Sequence, residues 1–388
     1  MEKEAGLITI LIQQPLYSAR TDYISRTMWR LFVPSYSGLD DPKVKKSLPR
    51  YVDIARDKRI AKFLVSGKLA VEYDPDARLK DLWAAHRRAL SKYGEAERKV
   101  DEGSLQLGEL GGETSFLDLK IELGRRIMTD CHFCVRRCGV DRLSGEKGYC
   151  SCGSEFALSS YFPHMGEEPE LVPSGTVFTC GCSLRCIHCQ NWGISQWHER
   201  YSPLQPSKMA EVVNALKKQG CRNLNMVGGE PTPNCWLWLK TMSNVDSNIA
   251  TVWNSNSYYS QETAELLAGF VDLYLLDFKY GNDDCATAIS DAPGYWEACT
   301  RNHLMAKKHG ELIIRVLVLP GHNDCCTRPI LKWIADELGP WTRVNLMFQY
   351  RPEWRAVERN ELSRRLSRQE IEEARRIAHE VGLSNLVH

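Results

Sequence analysis

Cysteines are concentrated in the segment CGCSLRCIHC, Cys180 to Cys189, which holds four of the chain's fifteen cysteines. Three of them, Cys182, Cys186 and Cys189, have the spacing C-x3-C-x2-C, so their sulfurs can converge on one compact loop. A structural zinc ion needs four ligands, and His188 or Cys180 would complete such a set. A [4Fe–4S] cube also has four corners, and three cysteines would leave one iron open to an outside ligand. Spacing alone favours an iron–sulfur site over a zinc site or packing thiols.

A second cysteine group precedes the first along the chain. Its spacing is C-x2-C-x3-C-x11-C, formed by Cys131, Cys134, Cys138 and Cys150. Four thiolates on a glycine-containing loop suit either a zinc ion or an auxiliary [4Fe–4S] cluster. We favour the cluster because the chain already has a redox centre for it to serve. We interpret the spare ligands His132 and Cys152 as surface or packing residues.

The remaining cysteines and the composition limit the class of protein. Six cysteines lie apart in the sequence, and we interpret them as small apolar or incidental thiols: Cys221, Cys235, Cys285, Cys299, Cys325 and Cys326. Charge is nearly balanced, with 50 basic against 49 acidic residues, which argues against a nucleic-acid partner held by bulk charge. No signal-peptide pattern is present, and the apolar run Leu7–Ile12 is too short to span a membrane. We therefore expect a cytoplasmic protein without a disulfide framework or a membrane partner.

Strand and helix patterns alternate from Gly175 onward. Six apolar, β-branched runs predict strands at Thr176–Thr179, Asn223–Val227, Ile249–Trp253, Asp272–Asp277, Leu312–Leu319 and Arg343–Phe348. Amphipathic stretches predict helices at Lys208–Lys218, Gln261–Gly269, Glu297–His309, Arg328–Glu337 and Gln369–Val381. This alternation predicts parallel strands with right-handed crossovers. Polar or glycine-rich residues follow every strand, which favours an α/β fold in which a β/α barrel carries its active site at one rim.

Three regions are predicted along the chain. Residues 1–115 form a mostly helical N-terminal extension, with helices at Val52–Phe63 and Leu79–Lys99 and a linker at Gly108–Ser115. Residues 116–174 form an auxiliary metal region that contains the cysteine tetrad and opens with a helix over 115–130. Residues 175–388 form the barrel.

The cysteine loop after the first barrel strand, followed by GGEP after the second, resembles the radical S-adenosylmethionine (SAM) superfamily. The phrases CIHCQNWGIS and NMVGGEPTP are similar to the pyruvate formate-lyase activating enzyme branch of that superfamily. The phrases CHFCVRRCGVDRLSGEKGYC, HMGEEP, NSNSYY, DLYLLDFKY, RVLVLPGH and QYRP resemble one uncharacterised subgroup of relatives with an N-terminal cysteine tetrad. The resemblance covers roughly residue 115 to the end and implies a partial (β/α)6 barrel.

The resemblance assigns roles to residues of the predicted rim. Cys182, Cys186 and Cys189 would hold a [4Fe–4S] cluster whose open iron binds SAM. The other implied SAM contacts are Gly228, Gly229 and Glu230 for the methionine amino group, Asn254, Ser255 and Asn256 for the ribose or carboxylate, and Arg315 for the carboxylate. A structural arginine paired inside the barrel is the alternative for Arg315. His188 stands where the family usually has an aromatic residue against adenine, and imidazole can still stack there.

The implied reaction is radical chemistry on a substrate. A low-potential donor of the ferredoxin or flavodoxin type would supply an electron, and SAM would be cleaved to methionine and a 5′-deoxyadenosyl radical that abstracts hydrogen. Four further rim residues are candidate substrate contacts: Asp277, Lys279, His322 and Arg351. For Asp277 and Lys279, a structural ion pair is the alternative. Their charge favours a small polar substrate, whereas a glycyl-radical activase would act on a partner protein. A non-catalytic iron–sulfur electron carrier is the alternative of another class, and GGEPTP argues against it.

Overall fold

The computed structural model describes residues 38–387, so the predictions for Leu7–Ile12 and the rest of residues 1–37 lie outside it. Its sheet has eight strands: β1 (Phe156–His164), β2 (Ser174–Thr179), β3 (Ser202–Leu204), β4 (Asn223–Met226), β5 (Ala250–Ser255), β6 (Leu273–Asp277), β7 (Glu311–Leu317) and β8 (Arg343–Met347). Their spatial order is β3-β1-β2-β4-β5-β6-β7-β8. The sheet is therefore open, with β3 and β8 at its two edges.

The six predicted strands are confirmed as β2 and β4 to β8. Each pairs in parallel with the next, and their carboxyl ends consequently lie on one rim. This confirms the predicted α/β fold with a partial barrel. Strands β1 and β3 were not predicted from the sequence: β1 pairs with β2, and β3 pairs with β1, both in antiparallel fashion. Burial alternates only over the first four residues of β1, so the period-two signal of a half-buried strand is too short there.

Thirteen α-helices are found among residues 38–387. They are α1 (Pro42–Ser47), α2 (Pro49–Ala55), α3 (Lys62–Ser66), α4 (Leu79–Asp101), α5 (Phe116–Thr129), α6 (Trp192–Ser195), α7 (Pro206–Lys218), α8 (Cys235–Met242), α9 (Gln261–Leu267), α10 (Asp283–Ser290), α11 (Tyr295–His309), α12 (Arg328–Trp333) and α13 (Arg368–Glu380). The single helix predicted over Val52–Phe63 is wrong: α2 ends at Ala55, and Asp57 takes a left-handed φ of 54° before α3 begins. The helices predicted at residues 79–99 and 115–130 are confirmed as α4 and α5, the latter with a Ser115–Asp118 capping box.

The amino-terminal ends of the barrel strands are covered by α2 and α3. The carboxylate of Glu311 accepts the backbone N–H groups of Arg50 at 2.7 Å and Tyr51 at 2.6 Å, two of the amides left unpaired in the first turn of α2. The buried carboxylate of Asp272 accepts from the Arg50 guanidinium at 2.9 Å and from the Lys62 amide at 2.9 Å. Its second oxygen accepts the backbone N–H and hydroxyl of Thr251, each at 2.9 Å. One carboxylate thus ties α2, α3 and β5 together.

Removing that carboxylate should strongly destabilise the fold. In Asp272→Ala, Arg50 loses its most deeply buried partner and several donors are left without an acceptor. We expect the free energy of unfolding, measured by urea denaturation, to fall by about 3–5 kcal/mol. The control Asp336→Ala removes an exposed partner of Lys332 and should cost about 0–1 kcal/mol. An equally small loss for Asp272→Ala would show that the packing of α2 and α3 does not depend on this ion pair.

Candidate cofactor site at the carboxyl-terminal rim

A cavity of about 450 Å³ lies at the carboxyl ends of the parallel strands and collects most of the predicted site residues. Its lining includes Cys182, Cys186, His188, Cys189, Gly228, Gly229, Glu230, Asn254, Ser255, Asn256, Asp277, Lys279, Arg315 and Arg351. The predicted cluster and SAM residues thus all meet in one place, together with three of the four candidate substrate contacts. His322 is the exception and lies outside this lining. Cys180, the alternative fourth ligand, is buried but does not line the cavity either.

The three cysteines of the C-x3-C-x2-C loop fit an iron–sulfur cluster by their environment. Burial, and then the nearby carboxylate of Glu230, raises the pKa of Cys182 well above its usual value. A buried thiolate here therefore needs a positive partner, which a metal cluster supplies. The Cys182 sulfur also receives the Leu184 amide at 3.4 Å and the Asn256 side-chain amide at 3.5 Å. Donors of this kind stabilise metal-bound thiolates and tune their clusters.

Glu230 is buried and its orientation is fixed by donors from two loops. One carboxylate oxygen accepts the hydroxyls of Thr232 at 2.5 Å and Ser255 at 2.7 Å, and the other accepts the Asn256 amide at 2.8 Å. Burial is the largest influence on its pKa and raises it, although these hydrogen bonds act in the opposite direction. A carboxylate held this firmly can present its remaining lone pairs to an ammonium group without reorganising.

The two glycines before Glu230 allow two loops to approach each other closely. Gly228 has a φ of 99°, and a Cβ built there would lie 2.3 Å from the Thr179 carbonyl oxygen. A Cβ on Gly229 would lie 2.3 Å from the Gly181 carbonyl oxygen. Both positions therefore require glycine, and the resulting close approach presses the GGEP loop against the start of the cysteine loop.

Arg315 faces the cavity, but its guanidinium already has carboxylate partners. It donates to Glu168 through Nε at 2.7 Å and Nη2 at 2.6 Å, and it also pairs with Glu167. Burial opposes its charge, yet these two carboxylates keep the pKa of Arg315 above its usual range. This is the paired structural arginine that sequence analysis gave as the alternative. Only Nη1, 3.4 Å from the Asn254 side chain, points to the predicted SAM residues.

The candidate substrate contacts form two ion pairs at the rim. Lys279 donates to Asp277 at 2.6 Å, and Arg351 pairs with Glu353 at 2.8 Å. Burial opposes the charge of Lys279, but Asp277 and the Cys186 thiol raise the pKa of its ammonium. Burial also lowers the pKa of His188 to about 3, so its imidazole is neutral, and its ring centroid lies 5.9 Å from that of Tyr350.

The tetrad Cys131, Cys134, Cys138 and Cys150 lies directly behind the cysteine loop. A Cβ on Gly181 would meet the Cys152 sulfur at 2.3 Å and the Cys150 carbonyl oxygen at 2.7 Å. The Ser260 amide donates to the Phe133 carbonyl at 2.9 Å, which fixes the tetrad segment to the loop after β5. Burial raises the pKa of Cys131 to about 11 and that of Cys134 to about 12. The buried guanidinium of Arg142 favours the charged forms of Cys131 and Cys150, and the metal of the tetrad remains a prediction.

Three of the cysteines interpreted as incidental are in fact grouped. Cys285, Cys325 and Cys326 surround His322, with ligand atoms that all lie within 4.8 Å of one another. Sequence spacing gave no sign of this group, because Cys285 and Cys325 are 40 residues apart. The sequence signal for this group was the adjacent pair Cys325–Cys326, which begins three residues after His322 on a rim loop.

The Radical SAM superfamily matches the chain over residues 176–334. Uncharacterized protein MJ0674 of Methanocaldococcus jannaschii is 41% identical over 343 residues, covering 87% of this chain and 98% of that protein. Uncharacterized protein MJ0808 of the same organism is 25% identical over 248 residues, covering 59% of this chain and 72% of that protein.

Among solved structures, Streptococcus suis SuiB bound to precursor peptide SuiA is similar with a TM-score of 0.40 and 11% identity, over 53% of this chain and 46% of that one. TYW1 with a lysine-pyruvate adduct bound is similar with a TM-score of 0.35 and 14% identity, over 53% of this chain and 73% of that one. The chain thus spans less than half the length of SuiB.

No helix within residues 38–387 is both long and apolar enough to cross a membrane.

Replacing Cys182, Cys186 and Cys189 together by alanine should remove one cluster, or about four iron atoms per chain. Iron and sulfide would be measured after anaerobic reconstitution. The matched control Cys221→Ala removes a buried thiol far along the chain from both cysteine groups and should leave the iron content unchanged. Full iron and sulfide in the triple variant would show that the cluster is not held by these three thiols.

Proposed function

The chain belongs to the radical SAM superfamily, and on that premise we propose that it acts on a small polar substrate bound beside SAM in the rim cavity. When bound, the [4Fe–4S] cluster and SAM supply a 5′-deoxyadenosyl radical, which takes a hydrogen atom from the substrate. The observation that carries the proposal is the shared cavity: the three thiols, the SAM residues and additional charged side chains line the same space. A low-potential electron donor would complete the system, in the reducing cytoplasm that suits free thiols.

The protein's own part is binding and orientation. Cys182, Cys186 and Cys189 hold the cluster, while Glu230 receives the ammonium group of SAM. Asn256 connects the two functions, because its side chain contacts the Cys182 sulfur and its backbone amide donates to Glu230. His188, neutral and buried, offers a flat face for the adenine. None of these groups needs to transfer a proton, so their value lies in being fixed before SAM arrives.

Charges not needed for SAM support a polar substrate. Asp277, Lys279 and Arg351 line the cavity at the ends of β6 and β8. A second cavity, of about 970 Å³, adjoins it along the open edge at β8 and shares Arg315, Glu167 and Gln349 with it. Its far wall carries Arg375 and His379, so an elongated molecule with anionic groups would find basic partners there.

A glycyl-radical activase, as in the pyruvate formate-lyase activating enzyme branch, is the second candidate. It is favoured by a short exposed apolar strip on and just after β1, formed by Phe162 and Met165. Phe162 stacks on Phe178, which lines the rim cavity, with a centroid distance of 5.7 Å. A partner protein that docked on this strip would therefore lie close to the cavity.

SAM should perturb the electron paramagnetic resonance signal of the reduced cluster, and Glu230→Gln should weaken that binding. The substitution removes the negative charge but keeps the shape, so we expect a loss of about 1.5–3 kcal/mol in a SAM titration. The control Glu211→Gln, on the exposed face of α7, should bind SAM like the unaltered protein. A spectrum that saturating SAM leaves unchanged would instead favour an electron carrier.

The two substrate classes can be separated by what stimulates SAM cleavage. A protein-free metabolite extract should accelerate formation of 5′-deoxyadenosine, and Asp277→Asn and Arg351→Ala should lose this acceleration. SAM affinity in Arg351→Ala should change by less than about fivefold, because the side chain is exposed and paired with Glu353. Acceleration by the macromolecular fraction alone would favour the activase and count against a small substrate.

A further inference from the structure

Four metal-ligand side chains come together outside the rim cavity. Cys285 lies in the first turn of α10. After β7, His322 precedes a short π-helical turn, Asn323–Thr327, that contains Cys325 and Cys326. Within residues 38–387 this is the one set of three or more His, Cys, Asp or Glu side chains whose ligand atoms lie within 4.8 Å of one another. None of the four lines the rim cavity, so the group is separate from the proposed cluster and SAM site.

The distances within the group match a tetrahedral ion. With Zn–S bonds of about 2.3 Å and Zn–N bonds of about 2.0 Å, a tetrahedron separates two sulfurs by about 3.8 Å and a sulfur and a nitrogen by about 3.5 Å. Here the Cys285 and Cys325 sulfurs are 3.8 Å apart, and those of Cys325 and Cys326 are 4.0 Å apart. His322 Nδ1 lies 3.2 Å from the Cys325 sulfur and 3.7 Å from the Cys285 sulfur. A four-iron cube would hold its ligands much further apart.

The surrounding backbone holds the two segments in this position. Asn282 caps α10 by accepting the Cys285 amide at 2.8 Å, and its side-chain amide donates to the Cys325 carbonyl at 2.8 Å. A Cβ on Gly281 would lie 2.7 Å from that carbonyl oxygen, so only glycine permits the approach. The His322 carbonyl accepts the Cys326 amide at 2.9 Å, which turns both sulfurs toward the ring.

His322 presents its Nδ1 to this group. The side chain is only 8% exposed. The ring's polar contacts are those that Nδ1 makes with the Cys285 and Cys325 sulfurs. A buried imidazole whose nitrogen faces only thiols is an arrangement that a soft, thiolate-binding metal ion completes.

We propose that Cys285, His322, Cys325 and Cys326 bind a single zinc ion in a closed structural site. Binding releases three thiol protons to solvent, while the imidazole binds as a neutral ligand through Nδ1. Four protein ligands leave no open position for substrate, so the ion supports structure rather than reaction. The far end of α10 contacts the cluster loop, because the Ile289 and Ser290 carbonyls accept the Ile187 and Arg185 amides at 3.0 and 2.9 Å. The zinc ion would thus anchor the helix that supports that loop.

The test is metal analysis of the full-length chain purified without oxygen. Zinc would be counted by plasma mass spectrometry, and Cys325→Ser should contain about one zinc ion fewer per chain than the unaltered protein. Cys325 is exposed, so this substitution should not prevent folding. Cys221→Ser is the control and should keep all its zinc. Iron should be unchanged in both variants, which separates this site from the cluster predicted at Cys182, Cys186 and Cys189.

Alkylation of the unaltered protein gives a second measurement that no folding defect can affect. With zinc bound, Cys285 and Cys325 should resist iodoacetamide, and both should become reactive after chelation, as read by peptide mass spectrometry. The proposal would be overturned if Cys325→Ser and the unaltered protein contained equal zinc and if Cys325 of the unaltered protein were alkylated equally fast before and after chelation. A disulfide between these thiols in the anaerobic protein would overturn it as well. Neither measurement requires SAM cleavage, so the result stands apart from the proposed function.

Discussion

The carboxylate of Glu230 joins three strand ends, and the arrangement of the rim depends on it. It accepts from Thr232 on its own loop and from Ser255 and Asn256 at the end of β5. Asn256 then reaches the Cys182 sulfur on the loop after β2. Burying a carboxylate without hydrogen-bond donors costs free energy, so these donors stabilise Glu230 in its place. The predicted SAM residues Glu230, Ser255 and Asn256 and the predicted cluster ligand Cys182 are therefore parts of one hydrogen-bonded unit.

Charge inside the open sheet is balanced by a separate network. Arg315 on β7 is held by Glu167 and Glu168, which come from the segment between β1 and β2 at the opposite side of the opening. The Asn345 side chain adds a hydrogen bond to Glu168 at 2.8 Å. These contacts bridge the gap that strand pairing leaves between β8 and β2. An ion-paired wall of this kind lines the open side of the cavity with charged groups.

Much of the rim could be predicted from sequence because a physical rule covers it. Parallel strands end on the same side of a sheet, so residues such as Glu230, Asn254 and Asp277 had to meet once the strands were identified. The rule does not extend to contacts made by loops. Glu168 and Arg315 are 147 residues apart, and their pairing could not be read from either segment. Cys285 likewise reaches Cys325 only because Gly281 lacks a side chain, a backbone approach that residue spacing does not encode.

The cover over the amino-terminal ends of the strands has a consequence for how the chain folds. Residues 50–62 leave the ribosome early, yet their partners include Asn223, Asp272 and Glu311, up to 261 positions later. Contacts so distant in sequence require most of the chain to be synthesised before they can form. At about 5–20 residues per second, α2 and α3 would wait roughly 10–50 s for all three partners. Until β5 is synthesised, the sides of α2 and α3 that contact this strand lack their native partner, whereas α3 can already pack on α4 and α5.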